Sequence, residues 1–254
     1  MTDSSNRLAT LLAMSQELGL PGNGYVILGE GNTAAREDED SFWVKASGYP
    51  LRAIGSAGFV RVRFEPLYQA LPQDLDDAAV ADALRKSRVD ADAPRPSVET
   101  FLHAIAIQEG RAEFVGHTHP VAVNRVLCSR EGEAAVSGRL FPDQVVSCGA
   151  RSLYLPYCDP GLALARAFRE QLLRFQDDNG ESPRVVLIQN HGLIVLGQNA
   201  EEVLATTAMT VKAFDILWGT YAMGGPHFLS EEQVRRIQGR PDEHYRRQLI
   251  NKQA

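Results

Sequence analysis

Two histidines separated by one residue, His117 and His119, are the side chains best suited to metal chemistry in this chain. They lie in the run FVGHTHP, residues 114–120. Because alternate side chains of a β-strand leave the same face, a strand here would point both imidazoles at one place. Neutral imidazole nitrogens are favoured ligands of borderline-soft divalent metals, and zinc is the first expectation. The pair therefore predicts part of a metal site.

A third histidine, His191, occupies the apolar stretch RVVLIQNHGLIVLG, residues 184–197. Two short apolar runs flank the polar sequence QNHG, a pattern that predicts a β-hairpin with a polar bend. A buried imidazole must be paired, and a shared metal would pair it. The alternative is a histidine satisfied by ordinary hydrogen bonds in a turn or in the core. Together with the alternating pair, His191 favours a three-histidine metal centre.

A carboxylate that could act with this centre is Glu99, in the run RPSVETFLH at residues 95–103. Ser97 is a candidate N-cap, so we predict that a helix begins near Ser97 and carries Glu99 in its first turn. A carboxylate beside a divalent cation can be a resting ligand and can accept a proton once substrate displaces it. The alternative is that Glu99 only complements the positive end of the helix dipole. This segment by itself supports both interpretations equally.

Two glycine-containing segments are candidates for an anion site. GEGNTA at 29–34 and KASG at 45–48 combine turn-forming glycines with the side-chain donors Asn32 and Ser47. Backbone N–H groups exposed in such nests suit phosphate or carboxylate. A plain tight turn is the alternative for the first segment. That segment also lacks the lysine and Ser/Thr of a P-loop, so nucleotide binding is not indicated.

Size and composition are those of an ordinary globular chain, with 254 residues, 44% of them hydrophobic, and a net charge of −6. This acidic balance gives no support for a nucleic-acid partner. No apolar stretch is as long as a membrane span, and residues 1–6 lack the apolar core of a signal peptide. We therefore expect a cytoplasmic protein with no membrane partner. Cys128, Cys148 and Cys158 are expected to be reduced thiols outside any zinc site.

Helical and strand-like patterns alternate along the chain, which predicts an α/β architecture built on one central sheet. The predicted helices are 6–18, 74–85, 97–108, 122–130, 162–175, a long helix opened by Asn199, and a short one capped by Ser230 and Gln233. The predicted strands are 25–28, 41–46, 59–64, the His117/His119 run, 151–155 and the two runs beside QNHG, with a loop over 86–96.

These segments, in this order, resemble the class II aldolase/adducin family over roughly residues 6 to 220. The resemblance implies a single α/β domain with a central, mostly antiparallel β-sheet flanked by helices in three α/β/α layers. It implies that His117, His119 and His191 ligate a divalent metal, zinc first and manganese or iron as alternatives. Glu99 would be the fourth ligand and the catalytic acid/base. The substrate phosphate would be bound by Asn32, Ser47, Gly48 and Ser97.

The chain most resembles the aldolase half of bifunctional rhamnulose-phosphate aldolase–dehydrogenases. The resemblance lies in five motifs: GEGNT, FWVKASG, SVETFLHA, HTHP and LPYCDPG. The sequence ends at Ala254, so we expect no dehydrogenase half. Val98 and Ala34 stand where sugar-phosphate aldolases often carry serines, which weakens the case for phosphate and makes a carboxylate substrate more credible. No tyrosine matches the proton donor of fuculose-phosphate aldolase, and Asp143 is the candidate replacement.

The resemblance implies a metal-dependent lyase that cleaves a C–C bond of a small ketose or ketose phosphate through a metal-stabilised enediolate. Decarboxylation of a β-keto or hydroxyaromatic acid is the main alternative, because the enolate it produces is equivalent. Epimerase and dehydratase activities rank lower. A non-catalytic, adducin-like assembly module is the remaining alternative. The joint presence of the three histidines and Glu99 argues against that module.

The resemblance also implies an oligomer, since family members are usually cyclic tetramers with active sites at subunit boundaries. We expect a homotetramer acting on a small anionic substrate. The domain would span residues 1–224, and residues 225–254 would form a helical tail. Tail residues that could reach a neighbour's site are His227, His244, Tyr245, Arg246 and Arg247. The alternative for the tail is a solvated terminal helix.

Overall fold

The computed structural model describes residues 4–240, with side chains from residue 6. A seven-stranded β-sheet runs through this part of the chain in the order β3-β2-β1-β4-β7-β6-β5. Neighbouring strands are antiparallel except for the parallel pair β5 and β6. The strands are β1 (Asn32–Arg36), β2 (Ser41–Lys45), β3 (Phe59–Arg63), β4 (Phe114–Thr118), β5 (Leu153–Leu155), β6 (Val185–Ile188) and β7 (Gly192–Gly197).

Ten α-helices accompany the sheet within residues 4–240, and none of them is long and apolar enough to cross a membrane. They are α1 (Ser4–Leu18), α2 (Phe64–Ala70), α3 (Asp77–Ser87), α4 (Thr100–Gln108), α5 (Val121–Leu127), α6 (Gly132–Ala135), α7 (Pro142–Cys148), α8 (Leu162–Asn179), α9 (Ala200–Tyr221) and α10 (Glu231–Gln238).

The sheet is covered by helices on both faces. Alternate residues of β6 show this directly, because Val186 packs in one hydrophobic core and Leu187 in the other. Helices α2, α3, α4 and α8 contribute to the first core, and α1, α5 and α9 to the second. The predicted α/β fold with a mostly antiparallel sheet between helical layers is therefore confirmed.

The predicted strand at 25–28 is wrong. Gly24 and Leu28 have φ angles of +63° and +51°, left-handed values that interrupt an extended backbone. The strand lies further along, at Asn32–Arg36, where Ala34 and Ala35 are completely buried. Small side chains there gave no apolar alternation strong enough to recognise.

The helix predicted to begin near Ser97 instead begins at Thr100, with Glu99 as its N-cap residue. Ser97 precedes it in a turn, where its Oγ accepts a hydrogen bond from the backbone N–H of Glu99 at 3.3 Å. All side chains from Thr100 to Ile107 are buried. Helix α4 therefore lies in the interior, and Glu99 is at its N-terminal end.

Packing of α8 against the sheet generates a prediction for stability. Leu172 is completely buried, whereas its neighbour Leu173 is 42% exposed. We expect Leu172→Ala to lower the free energy of unfolding by about 2–5 kcal/mol, because it removes buried contacts and leaves a cavity. Leu173→Ala on the same helix should cost about 0.5 kcal/mol or less. Urea denaturation followed by circular dichroism measures both, and equal losses would contradict the packing described.

Candidate metal centre

The three histidines expected to share a metal meet at one place. Nε2 of His117 lies 3.0 Å from Nε2 of His119 and 3.2 Å from Nε2 of His191. Two imidazoles bound to one zinc ion at about 2.0–2.1 Å have their nitrogens about 2.8–3.4 Å apart, for angles between 90° and tetrahedral. The observed separations fit that range. Within the described residues, the three rings thus form a donor set that could hold one metal ion.

Strand pairing positions His117. On β4 it faces Asn32 of β1 on one side and Ile194 of β7 on the other. Its Nδ1 lies 3.0 Å from the carbonyl oxygen of Leu193, to which only an N–H can donate. The proton is therefore on Nδ1, and the lone pair of Nε2 faces the other two rings.

His119 lies just beyond the end of β4, although we predicted it within the strand. Its backbone N–H donates to the carbonyl of Tyr25 at 2.9 Å, which holds the loop before β1 against this end of the strand. From that loop, Oε1 of Glu30 lies 3.9 Å from Nδ1 of His119. The outer nitrogen of the ring therefore faces a carboxylate while Nε2 faces the centre.

His191 lies in the bend between β6 and β7. Asn190 turns the chain with a left-handed φ of +54°, a conformation that asparagine tolerates better than most residues. The side-chain amide of Asn124 on α5 donates to the carbonyl of His191 at 3.0 Å. Gly192 follows, and a Cβ there would lie 2.6 Å from the carbonyl oxygen of Thr118 and 2.7 Å from Cδ2 of His119. Only glycine therefore lets the bend approach the histidine strand this closely.

Glu99 reaches the same place from the N-terminus of α4. Its Oε1 lies 3.2 Å from Nε2 of His191, and its Oε2 lies 3.4 Å from Nε2 of His117. The amide nitrogen of Asn32 donates to Oε2 at 2.6 Å. The carboxylate is thus beside two of the three histidines, where it could act as a fourth donor.

The protonation states of His117, His119 and Glu99 favour the binding of a cation. Burial, the largest effect, lowers the pKa of His117 and that of His119 to about 4, so both rings are neutral near pH 7. Burial alone would raise the pKa of Glu99, but His117, His191 and the Asn32 amide together hold it well below its usual value. Neutral imidazoles beside an ionised carboxylate are the state that binds a divalent metal.

Ser47 and Ser97, two of the predicted anion-binding residues, lie on adjacent extended segments. The backbone N–H of Ser47 donates to the carbonyl of Arg95 at 2.9 Å, and that of Ser97 donates to the carbonyl of Lys45 at 3.3 Å. Oγ of Ser97 lies 3.5 Å from the Asn32 amide nitrogen. Ser47 and Gly48 are exposed, so this edge of the site is open to solvent.

Two polar residues of the site were missed from the sequence. Lys45 is 3% exposed, and its Nζ donates to the carbonyl of Gly29 at 3.2 Å. Burial lowers the pKa of Lys45, while the nearby Glu99 carboxylate raises it. His103 is completely buried and contacts Asn32. Each interrupts a hydrophobic element, and that interruption is the sequence signal that could have identified both.

Other predicted residues are not part of the histidine cluster. Asp143 is half-buried in the first turn of α7, which packs against α9, and its role as second acid/base stays a prediction. His227 is exposed between α9 and α10. Three cysteines form no disulfide: Cys128, Cys148 and Cys158. Four tail residues lie outside the described residues: His244, Tyr245, Arg246 and Arg247.

The sequence profile of the class II aldolase and adducin N-terminal domain matches residues 9–218. The chain therefore belongs to the class II aldolase/adducin family, as its motifs predicted.

Individual proteins are also similar to this chain. A Bacillus subtilis (strain 168) protein named "Uncharacterized oxidoreductase YuxG" is 29% identical over 182 residues, which are 68% of this chain but only 24% of that protein. The N-terminal class II aldolase domain of a Thermoplasma acidophilum protein is 26% identical, with a TM-score of 0.63 over 82% of this chain and 91% of that one.

Two more distant structures share the fold. YgbL of Klebsiella pneumoniae, whose name leaves open aldolase, epimerase and decarboxylase activities, is 14% identical with a TM-score of 0.71, covering 93% of this chain and 100% of its own. An L-fuculose 1-phosphate aldolase is 16% identical with a TM-score of 0.67, covering 92% of this chain and 95% of its own.

The close approach at Gly192 generates a prediction for metal binding. Gly192→Ala should weaken zinc affinity by about 10-fold or more, because the added methyl group displaces the Thr118–His119 backbone by a fraction of an ångström. Competition with a chromophoric chelator measures the affinity. Gly219→Ala, at a helical glycine with open space around it, is the matched control and should leave zinc affinity unchanged. Equal affinities for both variants would show that the bend does not shape the site.

Proposed function

We propose that this chain is a metal-dependent lyase that cleaves a C–C bond of a small ketose or ketose phosphate. The observation that carries the proposal is the meeting of three imidazole rings with the Glu99 carboxylate. His117, His119, His191 and Glu99 would hold the metal, with zinc expected first and manganese or iron as alternatives. Membership of the class II aldolase/adducin family supports the same reaction class.

The chemistry divides between the metal and the side chains around it. When bound, a divalent cation would act as a Lewis acid that stabilises the charge developing on substrate oxygens as the bond breaks. Glu99 is the proposed acid/base, because its two carboxylate oxygens lie within 3.4 Å of the histidine nitrogens and face the same space. A carboxylate so placed can carry a proton to or from the substrate carbon.

The substrate's anionic group would lie at the open edge of the site. Asn32, Ser47, Gly48 and Ser97 are the proposed donors, and Lys45 adds a buried positive charge next to them. Phosphate and carboxylate are both compatible with these donors. Asp143 is the proposed second acid/base. Its contribution depends on which part of the site releases the leaving fragment of the substrate.

Decarboxylation of a β-keto or hydroxyaromatic acid is the second candidate. Val98, which is exposed, favours it because it stands where a phosphate site would use a hydroxyl donor, whereas Ala34 is completely buried in the hydrophobic core and does not bear on the substrate. The fold shared with YgbL is compatible with either reaction. Cleavage and decarboxylation need the same stabilisation of an electron-rich oxygen, and their products distinguish them.

We also propose a homo-oligomer, a tetramer by family resemblance. Large apolar side chains are exposed in the loop before β1, on α5 and at the C-terminal end of α9, which packs against α5, and such exposure is costly for a monomer in water. They are Ile27 at 64%, Leu28 at 86%, Val121 at 58%, Trp218 at 55% and Met223 at 89%.

The proposed roles of metal ligand and acid/base predict different effects for two substitutions. Glu99→Gln should keep metal bound through the three histidines but lower turnover about 100-fold or more, because it removes the proton carrier. His117→Ala should lose both metal and turnover. Metal content by plasma mass spectrometry and turnover measured together test this, with the exposed Glu65→Gln as control. Equal metal loss in the two site variants would refute the division, and a metal-free wild type would favour the non-catalytic module.

The choice of substrate class predicts the outcome of a product screen. Incubating the zinc-loaded protein with ketose phosphates, ketoses and β-keto acids, and detecting products by mass spectrometry, should reveal a shorter aldehyde with its ketone partner. Release of carbon dioxide from a keto acid with no cleavage of any ketose would replace the first candidate by the second. The Glu99→Gln protein serves as the matched blank, because its fold and metal are expected to be intact.

A further inference from the structure

His103 is a buried histidine that the proposed chemistry does not use. It lies on α4, one turn after Glu99, and its side chain has no solvent exposure. Nε2 of His103 contacts the amide oxygen of Asn32 within hydrogen-bonding distance. Its other ring nitrogen, Nδ1, is buried without a hydrogen-bond partner among the described residues. The single polar contact of this ring therefore points at a residue of the candidate site.

The direction of the hydrogen bonds along this contact is determined by chemistry. An amide oxygen can only accept, so Nε2 of His103 must carry the proton and donate it. The same amide then turns its nitrogen the other way, and that nitrogen donates to Oε2 of Glu99 at 2.6 Å. A carboxylate also only accepts, so the order of donors runs from His103 through Asn32 to Glu99.

The neutral form of His103 fits this order. Burial lowers the pKa of His103 to about 4, so the ring donates one hydrogen bond without adding a positive charge beside Lys45. Without this donor, the amide oxygen of Asn32 would be buried and unpaired, which costs free energy and releases the amide to turn. The Glu99 carboxylate would then lose its fixed donor.

We propose that His103 is a positioning residue, which sets the orientation of the Asn32 amide and through it holds the Glu99 carboxylate against the histidine cluster. The proposal rests on the metal centre described under the proposed function. It goes further because it assigns a role to a residue whose side chain makes its polar contact with Asn32 and not with any of the proposed metal ligands. A histidine that merely fills space in α4 would have no such effect.

Side chains of different length at position 103 distinguish a positioning role from simple filling of space. His103→Gln can place an amide N–H where Nε2 was, whereas His103→Asn, shorter by one bond, cannot reach Asn32. His103→Leu removes the donor altogether. Ile105→Ala is the packing control, because it loosens the interior of the same helix at a residue that is completely buried in the hydrophobic core.

Zinc affinity and the visible absorption of the cobalt(II)-substituted protein are the readouts, and neither requires a known substrate. We expect His103→Leu and His103→Asn to weaken zinc binding about 10-fold and alter the cobalt spectrum, while His103→Gln stays within about threefold of wild type. Asn32→Ala should weaken binding similarly, and adding His103→Leu to it should have no further effect, since the two residues act in series.

Several results would overturn the proposal. One is wild-type affinity in His103→Asn, and another is additive losses in the double variant. A third is an Ile105→Ala protein that loses as much affinity as His103→Leu at the same melting temperature. Should His103→Leu fail to fold, the Gln and Asn variants, both polar and nearly equal in size, give the decisive comparison. A wild-type protein that binds neither zinc nor cobalt would instead refute the metal centre itself.

Discussion

The pairing of β4 with β1 on one side and β7 on the other is the constraint on which the site depends. It places Asn32 directly beside His117, and it brings the His191 bend to the end of the same strand. Because backbone hydrogen bonds fix the register, a slip of one residue would turn His117 to the other face. Gly192 then decides how closely the bend can approach. The convergence of the three rings is therefore set by the pairing of the strands and by the bend at Gly192.

Polar groups buried between the helices and the sheet are tolerated where other parts of the protein pair them. His117 is held by a backbone carbonyl, Glu99 by Asn32, and Lys45 by the carbonyl of Gly29. The arrangement places Nε2 of His117 beside Nε2 of His119 and Nε2 of His191, where one shared cation could be bound by all three rings. Partners outside the ligand set thus fix the orientation of the ligands inside it.

Much of the fold followed from hydrophobic patterning, and the failures have identifiable causes. The apolar runs of β6 and β7, the capped helix after Asn199 and the capping box of α10 were all predicted and are present. The strand expected at 25–28 failed because left-handed residues interrupt it. Strand β1 was missed because its small residues carry no strong alternation. The seven-residue helices α2 and α7 span only about two turns, which is too few for a repeating apolar pattern to be recognised.

The sequence by itself determined which residue types could do chemistry: three histidines and a glutamate in three recognisable segments, on an α/β framework. Local patterns reach only as far as a helix turn or a strand repeat, so they indicated the elements but not their neighbours. Tertiary structure decided that Asn32 donates to Glu99, that Lys45 is buried near them, and that the buried ring of His103 donates to Asn32. Asn32 is 67 positions from Glu99 and 71 positions from His103, so sheet register and close packing, rather than local preference, determine these contacts.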